Sequence, residues 1–116
     1  MTTQTTTMWL VGDPDYKLFE CGLADACVVI QDKDEAEREL HRRVRRLCNF
    51  ALSTNRFPLA LRREIDPWLF HSLASDGSVV SEITERITVD EMQRVLADAG
   101  YSHQVRMRPI QVVLSK

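Results

Sequence analysis

Five arginines lie within residues 38–46, and at this spacing their side chains could contact phosphate groups. They belong to the stretch 32–46, DKDEAERELHRRVRR, in which acids come first and bases follow. That order favours an α-helix, because negative charge is stabilising at a helix N-terminus and positive charge at its C-terminus. Such a face would bind nucleic acid with a salt-dependent affinity. The residues of this nucleic-acid alternative are Arg38, Arg42, Arg45 and Arg46, with Arg43 beside them.

The same arginines could instead pair within their own helix. Asp34 lies four residues before Arg38, and Glu39 lies three and four residues before Arg42 and Arg43. Pairs at these spacings stabilise a helix by roughly 0.2–0.5 kcal/mol each and need no ligand. A solvated, self-paired face is therefore the favoured interpretation. Contact with a protein partner or with nucleic acid is the alternative.

The sequence contains no catalytic, nucleotide-binding or metal-binding signature. The three histidines show neither HxxxH nor HExxH, and the three cysteines include no CxxC. The scattered glycines form no phosphate-binding loop. An enzyme would need folding to bring His71 close to a cysteine such as Cys48, as base and nucleophile. We therefore expect no enzyme, no cofactor and no metal, with Cys27 and Cys48 as reduced core residues.

Composition is typical of one folded domain covering residues 1–116. The chain is 44% hydrophobic and 28% charged, and its net charge of -2 excludes polyanion binding by bulk charge. No apolar run approaches the roughly 20 residues of a membrane helix. Residues 1–6 are polar and resemble neither a secretory signal nor a core segment, so they indicate a tail or the lead-in to a strand. A cytoplasmic protein without membrane contact is expected.

The first half of the chain predicts a strand followed by two helices. Residues 5–11 are β-branched and aromatic, which predicts a strand that ends at Gly12. Asp13-Pro14 is a cap-and-proline signal for a helix that reaches Ile30, although the run CVVIQ could be a strand instead. A capping box near Asp32 begins the next helix, which should end near residue 53.

The second half of the chain predicts short helices and a final strand. Helices are expected at 59–65 and, after Asp66-Pro67, at 68–74, with Gly77 ending the second one. Residues 79–87 fit either a strand or a helix. A capping box at Thr88 begins another helix, and residues 103–114 form a strand, giving a β-α-β unit. The predicted fold is α+β, with four or five helices and a small two- or three-stranded sheet.

Pro109 places the last strand at the border of a sheet. Proline has no N–H to donate to a ladder, so it belongs on an edge strand or at a bulge. An apolar edge strand needs protection from open association. A second copy or a partner protein would supply it, and cover by the first strand or by a helix is the alternative. The candidate contacts on this strand are Ile110, Val112 and Leu114.

A second group of candidate interface residues lies near the middle of the chain. Trp68, Leu69 and Phe70 are consecutive, so they cannot all face one core from a single helix. Trp and Arg are enriched among residues that dominate binding energy. Arg62, Arg63, Trp68 and Phe70 are therefore candidates for a protein interface, while Trp68 as an ordinary core residue is the favoured alternative.

From MTTQTTTMWLVGDPDYKLF through RPIQVVLSK, the chain resembles in size and overall character the small bacterial antiactivators of quorum sensing of the QslA type. The resemblance covers the whole chain, rests on no short motif and transfers no residue role. It implies a dimeric, non-enzymatic inhibitor that binds a LuxR-type transcription factor and blocks its dimerisation or DNA binding. A phage-type inhibitor of a bacterial defence complex belongs to the same broad class of binding protein, as an alternative.

Overall fold

The computed structural model describes residues 3–12, 27–101 and 105–115. Within those ranges the protein is α+β, with three α-helices and five strands in two antiparallel sheets. The chain divides into two compact units. One comprises Met1–Arg43 with His103–Lys116, and the other comprises Val44–Ser102.

The sheet of the first unit consists of β1 (Thr3–Gly12), β2 (Cys27–Ile30) and β5 (Arg106–Ser115), in the order β2-β1-β5. β1 runs antiparallel to both neighbours. The strand begins at Thr3, so residues 3–6 belong to the ladder with β5. Val11 of β1 is fully buried, as is Ala36 of the helix that follows β2.

Helix α1 covers Lys33–Ser53, in agreement with the prediction of a helix that ends near residue 53. Its start is fixed by Asp32, whose Oδ1 accepts the backbone N–H of Asp34 at 3.3 Å. Its end is a Schellman motif, in which the N–H groups of Asn55 and Arg56 bond to the carbonyls of Leu52 and Ala51. Asn55 occupies the left-handed position of that motif with φ 57°.

The second unit holds the end of α1, two further helices and a hairpin. Helix α2 covers Leu59–Ile65, as predicted, and a 3-10 turn follows at Asp66–Trp68. Strands β3 (Leu69–Leu73) and β4 (Val79–Ile83) form a two-stranded sheet. Helix α3 covers Val89–Asp98.

The helix start predicted at Thr88 is confirmed, because Thr88 is the N-cap of α3 and its Oγ1 accepts the N–H of Glu91 at 3.2 Å. The core of this unit is built from apolar residues of α1, α2 and α3, from Phe57 after α1, and from Ile83 at the end of β4. Its buried residues are Val44, Cys48, Ala51, Leu52, Phe57, Ile65, Ile83, Met92, Val95 and Leu96.

The prediction of four or five helices with a small two- or three-stranded sheet is wrong for the described residues, because two predicted helical segments are strands. The helix expected at 68–74 is replaced by the 3-10 turn and β3, since this segment pairs with β4 from Leu69↔Ile83 to Leu73↔Val79. Gly77, which we assigned to the end of that helix, lies instead in the loop that closes the hairpin. Cys27–Ile30 is also a strand, because it pairs with β1.

The topology also bears on three predictions for the segments 13–30, 79–87 and the C-terminus. The expected β-α-β unit at the C-terminus is wrong, because β4 and β5 belong to different sheets and β5 pairs antiparallel with β1. The ambiguous segment 79–87 begins with a strand, β4, that ends at Ile83. The helix expected to begin at Asp13 falls mainly on residues 13–26, which lie outside the described part of the chain.

Candidate partner-binding surfaces

The first candidate surface is the outer side of β5, which we call the β5 edge. β5 pairs with β1 over ten residues, from Thr3↔Ser115 to Gly12↔Arg106, and it has one neighbour among the described strands. The outer position predicted from Pro109 is therefore confirmed within the described sheet. A strand in this position leaves alternate backbone groups without a ladder partner.

Pro109 determines which backbone groups of β5 point outward. Directly opposed residues of an antiparallel pair alternate between hydrogen-bonded and non-hydrogen-bonded positions. Pro109 lies opposite Trp9 and has no N–H, so this pair fits a non-hydrogen-bonded position. By alternation, the N–H groups of Met107, Gln111, Val113 and Ser115 point to the open side. Pro109 interrupts that row once and leaves three successive donors after it.

The register also assigns the side chains of β5 to two faces. Gln111 donates a hydrogen bond from Nε2 to Thr7 Oγ1 at 3.0 Å, which confirms that opposed residues share a face. The other face of β5 carries two basic residues followed by three apolar ones. In order, they are Arg106, Arg108, Ile110, Val112 and Leu114.

Exposure of the apolar side chains on the Ile110 face increases toward the end of β5. Ile110 and Val112 are half-buried, whereas Leu114 is 47% exposed and Val113 on the opposite face is 62% exposed. All three apolar residues predicted for an interface, Ile110, Val112 and Leu114, therefore share one face of an outer strand. In recognition by an added strand, main-chain hydrogen bonds supply affinity and alternate side chains supply specificity. This part of β5 offers both.

Sequence reasoning missed the two arginines at the start of β5. Arg106 and Arg108 line a surface hollow of about 220 Å³ together with Leu10, Gly12 and Met107. The signal in the sequence was the alternation in RMRPI, which places both arginines on the face of Ile110 if the segment is a strand. Without the pairing to β1, that alternation has no defined inner or outer side.

The second candidate surface is a hollow of about 260 Å³ in the second unit, which we call the Arg62–Arg63 hollow. It is lined by Leu52, Arg62, Arg63, Asp66 and Leu69. The fold thus brings together two of the predicted interface residues, Arg62 and Arg63, in consecutive positions of α2. Their positively charged side chains stand beside two leucines, which is the mixed chemistry expected where a protein partner binds.

Trp68 and Phe70 do not line this hollow. Trp68 ends the 3-10 turn and is half-buried, while Phe70 lies in β3 and is 59% exposed. Phe70 pairs with Glu82 across the hairpin, on the face opposite Leu69. Of the two aromatic residues, Phe70 is thus the more accessible to a partner.

The arginine-rich part of α1 is partly occupied by interactions within the protein. Arg42 and Arg43 both donate to the carboxylate of Glu39, as the self-paired interpretation predicts, and the bond from Arg43 Nε is 2.7 Å long. Arg45 donates from Nε to the backbone carbonyl of Ile83 at 2.6 Å. Arg38 and Arg46 are exposed and form no ion pair in the described part of the chain. Two of the four arginines proposed for nucleic acid therefore already have carboxylate or carbonyl partners.

Cys48 and His71, the two residues considered for catalysis, occupy very different surroundings. Cys48 is fully buried in α1, and its thiol donates to the Met92 carbonyl at 3.7 Å. Burial raises the pKa of this thiol to about 12, which disfavours the nucleophilic thiolate. His71 is exposed on β3, and its Nδ1 is hydrogen-bonded to Ser81 Oγ at 2.7 Å.

The described residues contain no group of three or more His, Cys, Asp or Glu side chains placed to hold a metal ion. None of the helices in the described ranges combines the length and apolar character needed to cross a membrane. In comparisons with protein-family models, curated proteins and solved structures, the chain matches none of them.

Proposed function

We propose that this protein is a non-enzymatic regulator that binds another protein through the β5 edge. The observation that carries the proposal is a ten-residue outer strand with one neighbour in the described sheet and accessible apolar side chains near its end. A partner strand added here would gain main-chain hydrogen bonds from the open side. It would gain specificity from alternate side chains.

The second half of β5 is the part best suited to pairing. After Pro109, the outward N–H groups of Gln111 and Val113 follow one another without interruption. Along the strand they alternate with the apolar residues of the Ile110 face. The first half carries Arg106 and Arg108, whose charge would guide an acidic partner toward the strand. A partner strand is thus expected to meet cations at one end and apolar side chains at the other.

For the partner we propose a transcription regulator of the LuxR type, whose dimerisation or DNA binding is blocked when this protein occupies its surface. Support comes from the resemblance of the whole chain to small antiactivators and from an edge that favours strand pairing. Before the partner is bound, we propose that a second copy covers the same edge and forms a homodimer. A two-fold pairing of this kind uses one surface twice, so it closes without further growth.

A capture experiment tests this proposal. Tagged protein is incubated with nuclease-treated lysate of the source organism, and Leu114→Lys is compared with Val29→Lys. Both positions are 47% exposed and lie on the same face of the sheet, but Val29 belongs to β2 at the other border. We expect wild type and Val29→Lys to retain one stoichiometric regulator. The amount of regulator captured by Leu114→Lys should be at least tenfold lower.

Two results would overturn this proposal. Equal capture by both lysine variants would remove β5 as the binding surface. Recovery of nucleic acid in place of a protein, when nuclease is omitted, would remove the proposed class of partner and direct attention to the arginines of α1. The oligomeric state of the free protein, measured by light scattering, tests the homodimer separately, since Leu114→Lys should shift it toward monomer.

A further inference from the structure

We propose that the Arg62–Arg63 hollow binds the carboxylate of an acidic peptide segment from a partner protein. The two guanidinium groups would meet the carboxylate, and Leu52 and Leu69 would contact the aliphatic part of the same segment. This inference rests on the proposed function only in taking the carboxylate from a protein partner. The hollow and its chemistry belong to the second unit alone.

Arg62 is held at the hollow by Asn55. Its NH1 donates to Asn55 Oδ1 at 2.6 Å, across seven residues of sequence. The acceptor is a neutral amide, so this bond fixes the direction of the guanidinium without compensating its charge. Arginine has five N–H donors in a planar fork, and the remaining ones are free to meet a carboxylate.

The backbone of Asn55 supports a role for its side chain. Asn55 is the left-handed residue of the Schellman motif that ends α1, with φ 57°. Glycine is the usual residue there because it has no Cβ, and asparagine is a tolerated substitute. Unlike glycine, Asn55 carries a side chain at this position, and that side chain accepts the hydrogen bond from Arg62.

The charge of the hollow is not compensated by its own lining. Two arginines face one acid, Asp66, and neither arginine forms an ion pair with it or with any other carboxylate in the described part of the chain. By contrast, Arg94 pairs with both Glu64 and Asp98 on the same unit. The hollow thus keeps a net positive charge that a carboxylate from outside would neutralise.

Size and lining decide between possible anions. A volume of about 260 Å³ lies below the roughly 300–1,000 Å³ of small-molecule sites, so it suits a side chain or two better than a large metabolite. Leu52 and Leu69 offer no donors to a phosphate, whereas they match the methylene groups of a glutamate or a neighbouring apolar residue. A planar carboxylate also fits the fork of a guanidinium group.

The first test is an NMR titration of the full ¹⁵N-labelled chain with 4-methylpentanoate, a small carboxylate with a branched apolar body. We expect saturable shifts at the backbone amides of residues 62, 63 and 69, and at least threefold weaker binding of acetate and of inorganic phosphate. The amide 4-methylpentanamide should give no saturable shifts. Equal binding of the amide, or phosphate binding as strong as that of the carboxylate, would overturn the assignment.

Variants then separate a binding role from a structural one. Asn55→Gly keeps the left-handed backbone but removes the hydrogen bond to Arg62, so affinity for 4-methylpentanoate should fall at least threefold while the melting temperature is retained. Arg63→Gln should also weaken binding. Arg86→Gln, an exposed arginine of the same unit, should leave affinity unchanged. Wild-type affinity in both Asn55→Gly and Arg63→Gln would overturn the proposal.

The titration uses no partner protein, so its outcome is independent of capture through β5. If the probe binds but Leu114→Lys still captures the partner, the hollow stands and the β5 edge fails. If the probe does not bind but Leu114→Lys loses the partner, the β5 edge stands and the proposal for the hollow fails.

Discussion

Asn49 accepts a hydrogen bond from the backbone N–H of Ile83 through its Oδ1, at 2.7 Å. The backbone carbonyl of Ile83 accepts a second hydrogen bond, from Arg45 Nε at 2.6 Å. Ile83 is fully buried and ends β4, where its backbone groups point away from β3. Two side chains of α1 therefore take the place of a third strand at the inner end of the hairpin, which would otherwise bury an unpaired donor and acceptor.

Removing the Asn49 acceptor should destabilise the second unit. Asn49→Ala leaves the Ile83 N–H without its partner in a buried place, at a cost of about 1–3 kcal/mol that the better helix propensity of alanine offsets by roughly half a kcal/mol. We expect the free energy of unfolding, measured by urea denaturation, to fall by about 1–2 kcal/mol.

Two control variants identify the cause of that loss. Asn49→Asp keeps an acceptor oxygen and should recover most of the stability. Arg46→Ala, on the same helix and exposed, should stay within about 0.5 kcal/mol of wild type. If Asn49→Ala is as stable as Arg46→Ala, the contact with Ile83 contributes nothing.

The hairpin between β3 and β4 depends on the backbone of Gly77. The loop is closed by the N–H of Ala74 to the Ser78 carbonyl at 2.8 Å and by the N–H of Gly77 to the Ala74 carbonyl at 3.0 Å. Gly77 has φ +84°, and a Cβ added there would meet nothing within 4 Å. The demand for glycine is thus one of backbone conformation and not of space.

Gly77→Ala should therefore lower the free energy of unfolding by about 1 kcal/mol through strain alone. Gly77→Asn should lose less, because asparagine tolerates a positive φ better than alanine does. Thermal and urea unfolding of both variants would test this order. An alanine variant as stable as the asparagine variant would show that backbone strain at Gly77 has no effect on stability.

Local signals predicted the elements whose stabilising contacts are local. Helix α1 combines a cap at Asp32 with a continuous apolar stripe, and α3 begins with an N-cap at Thr88, so both were found from the sequence. Local patterns were insufficient at residues 68–74. There, Asp66-Pro67 forms only a short turn, and the pairing of β3 with β4 overrides the helical signal. An Asp-Gly pair fits a helix end and a hairpin loop equally well until the strand partner is known.

The parts that the sequence did not reveal depend on long-range contacts. The pairing of Thr7 with Gln111 spans 104 residues, and the bond from Arg45 to Ile83 spans 38. No spacing rule links such positions in a single sequence. The outer position of β5 was predictable because it rests on a property of one residue, the missing N–H of Pro109. The Arg62–Arg63 hollow was not predictable, because the two leucines of its wall belong to α1 and β3, which are distant in sequence.

Cys48 should be protected from thiol reagents in the folded protein. Its burial and its raised pKa, about 12, leave almost no accessible thiolate at pH 8. Iodoacetamide at that pH should modify Cys48 at least a hundredfold more slowly in buffer than in concentrated urea. Half-buried Cys27 should react faster than Cys48 in the native state. Peptide mass spectrometry distinguishes the sites, and rapid native labelling of Cys48 would contradict its buried position.

Glu39 should contribute stability that depends on pH. Burial of its carboxyl opposes ionisation, but hydrogen bonds from Arg42 and Arg43 outweigh that effect and lower its pKa from the ordinary 4.5. A folded-state pKa below the unfolded one means that folding favours the ionised form. The contribution is therefore fully present well above pH 4.5 and is lost as pH falls through and below that value.

Glu39→Gln should lower the free energy of unfolding at pH 7 by about 1 kcal/mol, because the Glu39 side chain is only 14% exposed and its charged carboxylate, which accepts from two cations, is replaced by a neutral amide oxygen. The difference between wild type and variant should shrink as pH falls below 4.5 and through the lowered folded-state pKa of Glu39, where its carboxyl becomes neutral. Urea unfolding at a series of pH values measures it, and groups that titrate in both proteins cancel. Glu37→Gln, exposed on the same helix, controls for the loss of one charge at pH 7 and should cost less than about 0.5 kcal/mol. A difference between wild type and Glu39→Gln that stays constant across this range would exclude the Glu39 carboxylate as the origin of the effect.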